Sequence, residues 1–548
     1  MGRSLRFTIL PLALALSACT SSSLPRVKVA KTQLADVSDG QSQSGRRLIQ
    51  ALRQAEAATS DLEADSARYN AAVEAFVLGL QRRLSPHDWT KPVQVRDQQR
   101  TWQVSFDDRP MQPQGNDEYA PAFFDRILPA GRIDTKAFAE RLEGSGLGAP
   151  FVLALEKDLE ALRRDRAFRP GNGLYAPATA ILEFGKPAAQ DGLQPVRLRF
   201  VNSFPKRQVT LAGQRRPLAY DYSSVIEANL DNPYLASIGF SGLLRPDRRE
   251  KDLGLFGLAP YDPAKIPVVF VHGLGSTPSI WRHQVNGLLA DPVLSRRYQP
   301  LFFIYPTGIS VPGAAARLRQ SLQLYRQRWD PRQRSRNFER MVLVGHSMGG
   351  LLSRLQVTDT DEELRKAFFT RPIPKIDWMS PTEKEAMQRA LVLEPLPFVD
   401  RVVFIAVPHR GSKLADIGLV QLAVRLIKLP TDTLGFITRA VTTGGLQFIN
   451  PELHRYRQLG LRSVDMLSPE HPYFAALERC PVTVPCHSII GDRGKGPGPK
   501  CSDGVVPYES AHLPSAVSEV LVPHWHGCVE KPETVAEVLR ILREHLRG

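Results

Sequence analysis

The C-terminal half of this chain, from about Leu258 to Gly548, predicts an α/β architecture: a mostly parallel sheet flanked by helices. Three observations carry that expectation. Short runs that are apolar at every position recur ("VVFVH", "LFFIY", "MVLVG", "RVVFIA", "HSIIG", "EVLV"), several of them β-branched. Such runs suit strands buried on both faces. Helical stretches such as "AAARLRQSLQLYRQRW" and "PETVAEVLRILREHL" lie between or after them. Finally, "MVLVGHSMGG" passes from a strand through Gly345-His346-Ser347-Met348-Gly349 into a helical stretch beginning "LLSRLQ".

At 548 residues the chain is too long for one ordinary core, so two or three domains are expected. Its 43% hydrophobic and 23% charged residues describe a globular chain and argue against disorder. The formal net charge of +15 is spread among acids and accompanies no nucleic-acid motif. It therefore reads as a solvated basic surface with some attraction to anionic lipid.

The elements before Leu258 follow in order. "MGRSLR" is a basic start, and "FTILPLALALSA" is an apolar run of signal-peptide length, too short to span a bilayer as a mature helix. It ends in "LSAC", Leu16 to Cys19, which resembles the lipobox of bacterial lipoproteins. That resemblance implies a signal peptide over 1–18 and a lipidated Cys19 as the first mature residue. It also implies outer-membrane sorting, because Thr20 and not aspartate follows. Residues 19–43 are polar and aperiodic, a tether. Residues 44–92 carry apolar positions at three- and four-residue spacing, a helical hairpin. Residues 93–257 read as a mixed α+β accessory domain with no chemical constellation. In it "TWQVSF", "TAILEFG" and "VRLRFVNS" suit strands, whereas "AFAERLEGSG" and "PFVLALEKDLEALRRD" suit helices.

The chemistry lies in the C-terminal half. Gly-x-Ser-x-Gly at a strand-to-helix turn is a nucleophile elbow. Ser347 must occupy a strained tight turn, so Gly345 and Gly349 leave room that side chains would fill. The loop in "VVFVHGLGS" precedes this turn by one β-α-β step, and the pair resembles the α/β-hydrolase superfamily. The resemblance implies an α/β-hydrolase fold and an oxyanion hole made of the Leu274 and Met348 amides, with His272 structural. Its Ser…Asp…His order implies an acid after the next-to-last strand and a base after the last. "SDGVVP" resembles the Asp-Gly-x-Val stretch of secreted bacterial triacylglycerol lipases, which makes Asp503 the candidate acid and leaves Asp492 as the alternative. In "EVLVPHWHGC" the candidate base is His526, with His524 the alternative. A zinc clasp made of these histidines and Cys528 is a rival reading of the same residues.

Apart from Cys19, the cysteines are Cys480, Cys486, Cys501 and Cys528. An even, clustered set in an oxidising compartment suggests two disulfides, Cys480–Cys486 and Cys501–Cys528 among three pairings. "IAVPHRGSKLAD" resembles a stretch of the secreted lipases, in which calcium braces the histidine loop through an aspartate beyond the base. Gly527 and Cys528 follow His526 here, so no metal site is carried over, and the Cys501–Cys528 bridge is the expected brace. Two insertions, about 359–397 and 414–467, interrupt the catalytic fold; the second reads as a helical cap packed over the core, or as a lid whose apolar face meets lipid or an acyl chain.

Taken together, these features point to a lipase- or esterase-like serine carboxylester hydrolase on the bacterial outer membrane, acting on acyl esters or lipids without a cofactor. The same triad would serve an acyltransferase, thioesterase or peptidase. A non-catalytic envelope-binding lipoprotein is the reading from another class.

Overall fold

A computed structural model describes residues 35–38, 42–109, 117–155, 173–187, 193–204, 207–231, 235, 238, 253–259, 261–412, 431–455, 465–494, 496 and 501–548. The signal peptide, Cys19 and most of the tether lie outside them. Among the described residues no helix is long and apolar enough to cross a membrane.

Helices α1 (Gln43–Ala58) and α2 (Ser66–Gln81) pack against each other as a pair. Ser42 caps α1, its hydroxyl accepting from the Gly45 amide at 3.1 Å. Leu48, Leu52 and Ala55 of α1 and Tyr69, Val73, Phe76 and Leu80 of α2 are fully buried at helical spacing. They share one core with an eight-stranded sheet of order Ala35–Ser38, Val93–Arg96, Thr101–Phe106, Leu193–Val201, Leu174–Phe184, Ala149–Leu155 and Arg126–Pro129, with Glu118–Tyr119 paired beside Leu193–Val201. The expected strands at "TWQVSF", "TAILEFG" and "VRLRFV" form. Of the two expected helices, the first does not form, and the second opens as a strand, its part from residue 156 onward lying outside the described residues. "PFVLAL" instead belongs to strand Ala149–Leu155, and "AFAERLEGSG" is irregular apart from the two-residue strand Glu143–Gly144.

Tyr69 closes a gap in this sheet. Its hydroxyl donates to the Leu182 carbonyl at 2.7 Å and accepts from the Leu182 amide at 2.8 Å, just beyond the last pair that Ala149–Leu155 makes with this strand, Ala149 with Ala180. Tyr69→Phe leaves a buried amide and a buried carbonyl without partners, so we expect it to cost about 2–4 kcal/mol of stability. Urea unfolding of the variant beside wild type measures this.

The C-terminal half is a seven-stranded sheet, β1 (Gly254–Gly257), β2 (Ile266–Val271), β3 (Tyr298–Ile304), β4 (Met341–His346), β5 (Val399–Ile405), β6 (Cys486–Gly491) and β7 (Ser518–Val522), in the order β1-β3-β2-β4-β5-β6-β7. Only β1 runs antiparallel to its neighbour. Every residue of β2, β3, β4 and β6 is buried, because helices cover both faces. Val269, Val271, Leu343, Val402 and Phe404 face Leu318 and Leu322 of helix Val311–Trp329. The alternate residues Val268, Phe270, Val342, Val344 and Val403 face Val285 and Leu288 of helix Arg282–Ala290 and Ile541 and Leu542 of helix Pro532–His545.

Helix α3 (Tyr222–Leu230) joins the two halves. Ile226 and Leu230 enter the same core as Val285 and Leu288, and Ser223 Oγ donates to Asn286 Oδ1 at 2.8 Å. Arg282 bridges Glu227 and Asp231 at 3.1 and 2.9 Å. Burial outweighs the arginine at Glu227 and raises its carboxyl to about 7.

Both cap insertions contribute to the core on one face of the catalytic sheet. Trp378 of the first meets Phe436 of the second at 4.9 Å, within helix Thr431–Thr442. The apolar stretch "IGLVQLAVRLIKLP" lies outside the described residues.

The expected disulfides are absent, and Cys480, Cys486, Cys501 and Cys528 are all free and buried. The thiols turn to different partners. Cys480 Sγ donates to the Ala476 carbonyl at 3.3 Å, and Cys486 Sγ lies 3.8 Å from the Ser515 carbonyl. Cys528 packs into the apolar core under helix Pro532–His545, where burial pushes its thiol up to about 12. Burial and the neighbouring Asp492 push Cys501 up to about 11. Even number and close spacing count cysteines but carry no information about where their Cβ vectors point.

Candidate active site

The chain leaves β4 at His346 and turns into helix Met348–Arg354 through a single residue, Ser347. Ser347 has φ +54° and ψ −127°, a left-handed backbone that costs a non-glycine residue about 1–3 kcal/mol. The turn is held on both sides. The Ser347 amide donates to the Ile405 carbonyl at 3.0 Å, and the Gly350 amide donates back to the Ser347 carbonyl at 2.9 Å. Glycines flank it for steric reasons. A Cβ on Gly349 would lie 2.2 Å from the Val271 carbonyl oxygen, and one on Gly345 would lie 2.5 Å from the Gly350 Cα. The end of β2 closes off Gly349 and the start of the elbow's own helix closes off Gly345, so no side chain fits at either position.

Three side chains from the turns and loops that follow β4, β6 and β7 meet here. Ser347 Oγ lies 2.9 Å from His526 Nε2, and His526 Nδ1 lies 2.7 Å from Asp503 Oδ2. Asp503 is buried, and its Oδ1 accepts from the Val505 and Val506 amides, both at 2.7 Å. The His526 amide donates to the Asp503 carbonyl at 3.1 Å, so backbone and ring are both tied to the acid. Of the alternatives, His524 lies beyond this line, its Nδ1 3.4 Å from the Trp525 carbonyl. Asp492 turns toward its own loop, where Oδ2 accepts from the Gly496 amide at 2.9 Å.

The loop after β2 lies directly over the elbow, since a Cβ on Gly273 would approach the Ser347 Cβ to 2.9 Å. Leu274 follows Gly273 in that loop. Met348 is the first residue of its helix, where an amide has no intrahelical acceptor. His272 faces away from the chemistry. Its ring stacks on Tyr305 at 4.6 Å, and burial pushes it down to about 4, so it stays neutral.

Residues 268–538 match the alpha/beta hydrolase family. This half of the chain is an α/β hydrolase. Among solved structures it is similar to the mature lipase BlEst2 of Bacillus licheniformis, with 19% identity, 51% of this chain and 93% of that chain covered, and a TM-score of 0.30. The lipase of Staphylococcus hyicus is similar at 13% identity, with coverages of 52% and 96% and a TM-score of 0.30. A lipase-esterase related protein of Clostridium acetobutylicum is similar at 13% identity, with coverages of 53% and 99% and a TM-score of 0.28. No curated protein matches the chain in sequence.

Hydrogen bonds brace the acid loop of this hydrolase where a disulfide was expected. In "PHRGS", Ser412 Oγ donates to the Val505 carbonyl, the Arg410 amide donates to Ser510 Oγ at 3.1 Å, and Arg410 Nη1 donates to the His512 carbonyl at 2.8 Å. His409 is buried and receives a 3.4 Å contact from Arg354 Nη1. Arg354 in turn donates to the Leu477 and Cys480 carbonyls at 2.8 and 3.1 Å, capping the end of helix Pro472–Glu478. Three residues of this half stand out only in the structure: His346 and Gln284 beside the histidine loop, and Arg354 at the end of helix Pro472–Glu478. Gln284 donates to the Val529 carbonyl at 2.8 Å, just past the histidine loop. His346 stands inside the motif itself, the one signal that could have drawn attention to it.

Proposed function

We propose that this hydrolase is a lipase- or esterase-like serine carboxylester hydrolase, with Ser347 as nucleophile, His526 as base and Asp503 as the acid that orients it. The observation that carries this reading is the hydrogen-bonded line from Asp503 Oδ2 to His526 Nδ1 (2.7 Å) and from His526 Nε2 to Ser347 Oγ (2.9 Å), ending on a strained elbow. Ser347 Oγ attacks the ester carbonyl carbon while its proton passes to His526 Nε2. The carbonyl π pair moves to oxygen, where the Leu274 and Met348 amides receive the negative charge. Collapse of the intermediate breaks the C–O bond, and the departing alkoxide takes the proton from His526. Water then attacks the acyl-enzyme, loses its proton to His526, and releases the acid as Ser347 recovers its own. Asp503 keeps the proton on Nδ1 throughout, leaving Nε2 as the base. No step calls for a cofactor.

The reading extends to location and substrate. A lipid anchor on Cys19 would hold the enzyme at the outer membrane, and the +15 formal charge would favour anionic lipid surfaces. Acyl esters or lipids are then the substrates within reach. The test is fluorophosphonate labelling of the purified chain. Wild type should be labelled within minutes and Ser347→Ala not at all. Absence of labelling in folded wild type would sink the reading. Chain-length profiling with p-nitrophenyl esters, and product analysis with added alcohols, then separates hydrolysis from acyl transfer.

A further inference from the structure

His346 precedes the nucleophile and is buried. Its Nε2 lies 3.0 Å from the carbonyl oxygen of His526, and the two imidazoles are 5.0 Å apart, centroid to centroid. A carbonyl only accepts, so Nε2 carries the hydrogen and donates it. Nδ1 is then bare. It has no hydrogen-bond partner and faces Gly273 of the loop over the elbow, 3.4 Å from where a Cβ would stand. Burial foremost, and then the neighbouring His526, push His346 down to about 3, so the ring takes no second proton at working pH.

These contacts pin His526 at both ends of its backbone. Its amide is held by the Asp503 carbonyl at 3.1 Å and its carbonyl by His346 at 3.0 Å. The second tie differs in kind, because His346 adjoins Ser347 at the end of β4. The distance between base and nucleophile is thereby set by a direct bond from the nucleophile's own neighbour, independent of the path through β5, β6 and β7. A neutral donor suits this position. Lysine or arginine could make the same bond, but its charge would oppose the imidazolium that His526 becomes during acylation.

We propose that His346 is a positioning residue of this hydrolase, its Nε2–H fixing the main chain of His526 so that the base stays in register with Ser347. The inference rests on the functional reading above. It predicts that His346→Leu, which removes the donor and keeps the bulk, lowers kcat on a p-nitrophenyl ester by about tenfold to a hundredfold with KM within about twofold, as a small misplacement of a reacting group does. His346→Gln, whose amide nitrogen reaches to a similar point, should recover most of that loss. The low-field NMR resonance of the His526 Nδ1 proton should be sharp in wild type and the Gln variant and broadened in the Leu variant. Unchanged kcat and resonance in His346→Leu would overturn the proposal. So would equal losses in both variants with the resonance intact, which would mean packing alone. Ser347→Ala is assayed alongside. Turnover that survives it would defeat the functional reading, while the resonance would still report on His346.

Discussion

His526→Ala should lower kcat by about 10⁴- to 10⁶-fold, and His524→Ala should leave it within about twofold. The two residues are separated only by Trp525, so the sequence favours His526 by resemblance alone, but their surroundings differ completely. His526 is tied at Nδ1 to a buried carboxylate and lies 2.9 Å from Ser347 Oγ. His524 is partly exposed, its ring beside Trp525 and its Nδ1 3.4 Å from the Trp525 carbonyl. Without His526, no described group is hydrogen-bonded to Ser347 Oγ to take its proton, and the oxyanion donors alone would sustain the residue of activity. Steady-state kinetics on one p-nitrophenyl ester, with circular dichroism to verify folding, measures both variants. A large loss in His524→Ala with His526→Ala active would reverse the assignment of the base.

The contrast between these histidines marks what sequence could and could not reveal. The elbow was legible because glycine is obligatory where a Cβ would strike the Val271 carbonyl, and because β4 reads as a continuous apolar run. The buried parallel strands were legible for the same reason: a strand covered on both faces has no polar alternation. "PFVLAL" was misread because six apolar residues fit a strand or a buried helix, and the charged run after it, "EKDLEALRRD", tilted the reading toward helix. "AFAERLEGSG" has helical spacing, yet around Leu142 it is tied to the opening of α3: the Leu142 amide donates to Ser223 Oγ at 2.7 Å, and the Leu142 carbonyl accepts from the Tyr222 amide at 2.9 Å. Long-range pairings leave no local trace either. The register of Thr101 with Leu193 in the accessory sheet is one such pairing. His346 was illegible for a related reason, since its partner lies 180 residues away in sequence.

Asp503→Asn should reduce kcat by about 10⁴-fold with little change in stability, and Asp492→Asn should be nearly neutral in kcat. The size of the first effect follows from how the carboxylate is divided. Oδ1 accepts from the Val505 and Val506 amides at 2.7 Å each, and Oδ2 faces His526 Nδ1 at 2.7 Å. An asparagine keeps the first pair of bonds only with its carbonyl on that side, which turns its NH2 toward the imidazole. Nδ1 must then accept, so the hydrogen moves to Nε2 and points at Ser347 Oγ. The ring remains in place as the wrong tautomer, a donor where a base is needed. The opposite amide orientation restores the tautomer but sets the NH2 against two backbone donors. Either way the loss falls on kcat and leaves the fold intact, which thermal unfolding beside kinetics can verify. Asp492 bonds within its own loop, accepting at Oδ2 from the Gly496 amide at 2.9 Å. A fall of several thousandfold in Asp492→Asn, with Asp503→Asn active, would move the acid to the end of β6 and leave the 2.7 Å contact with His526 without a catalytic part.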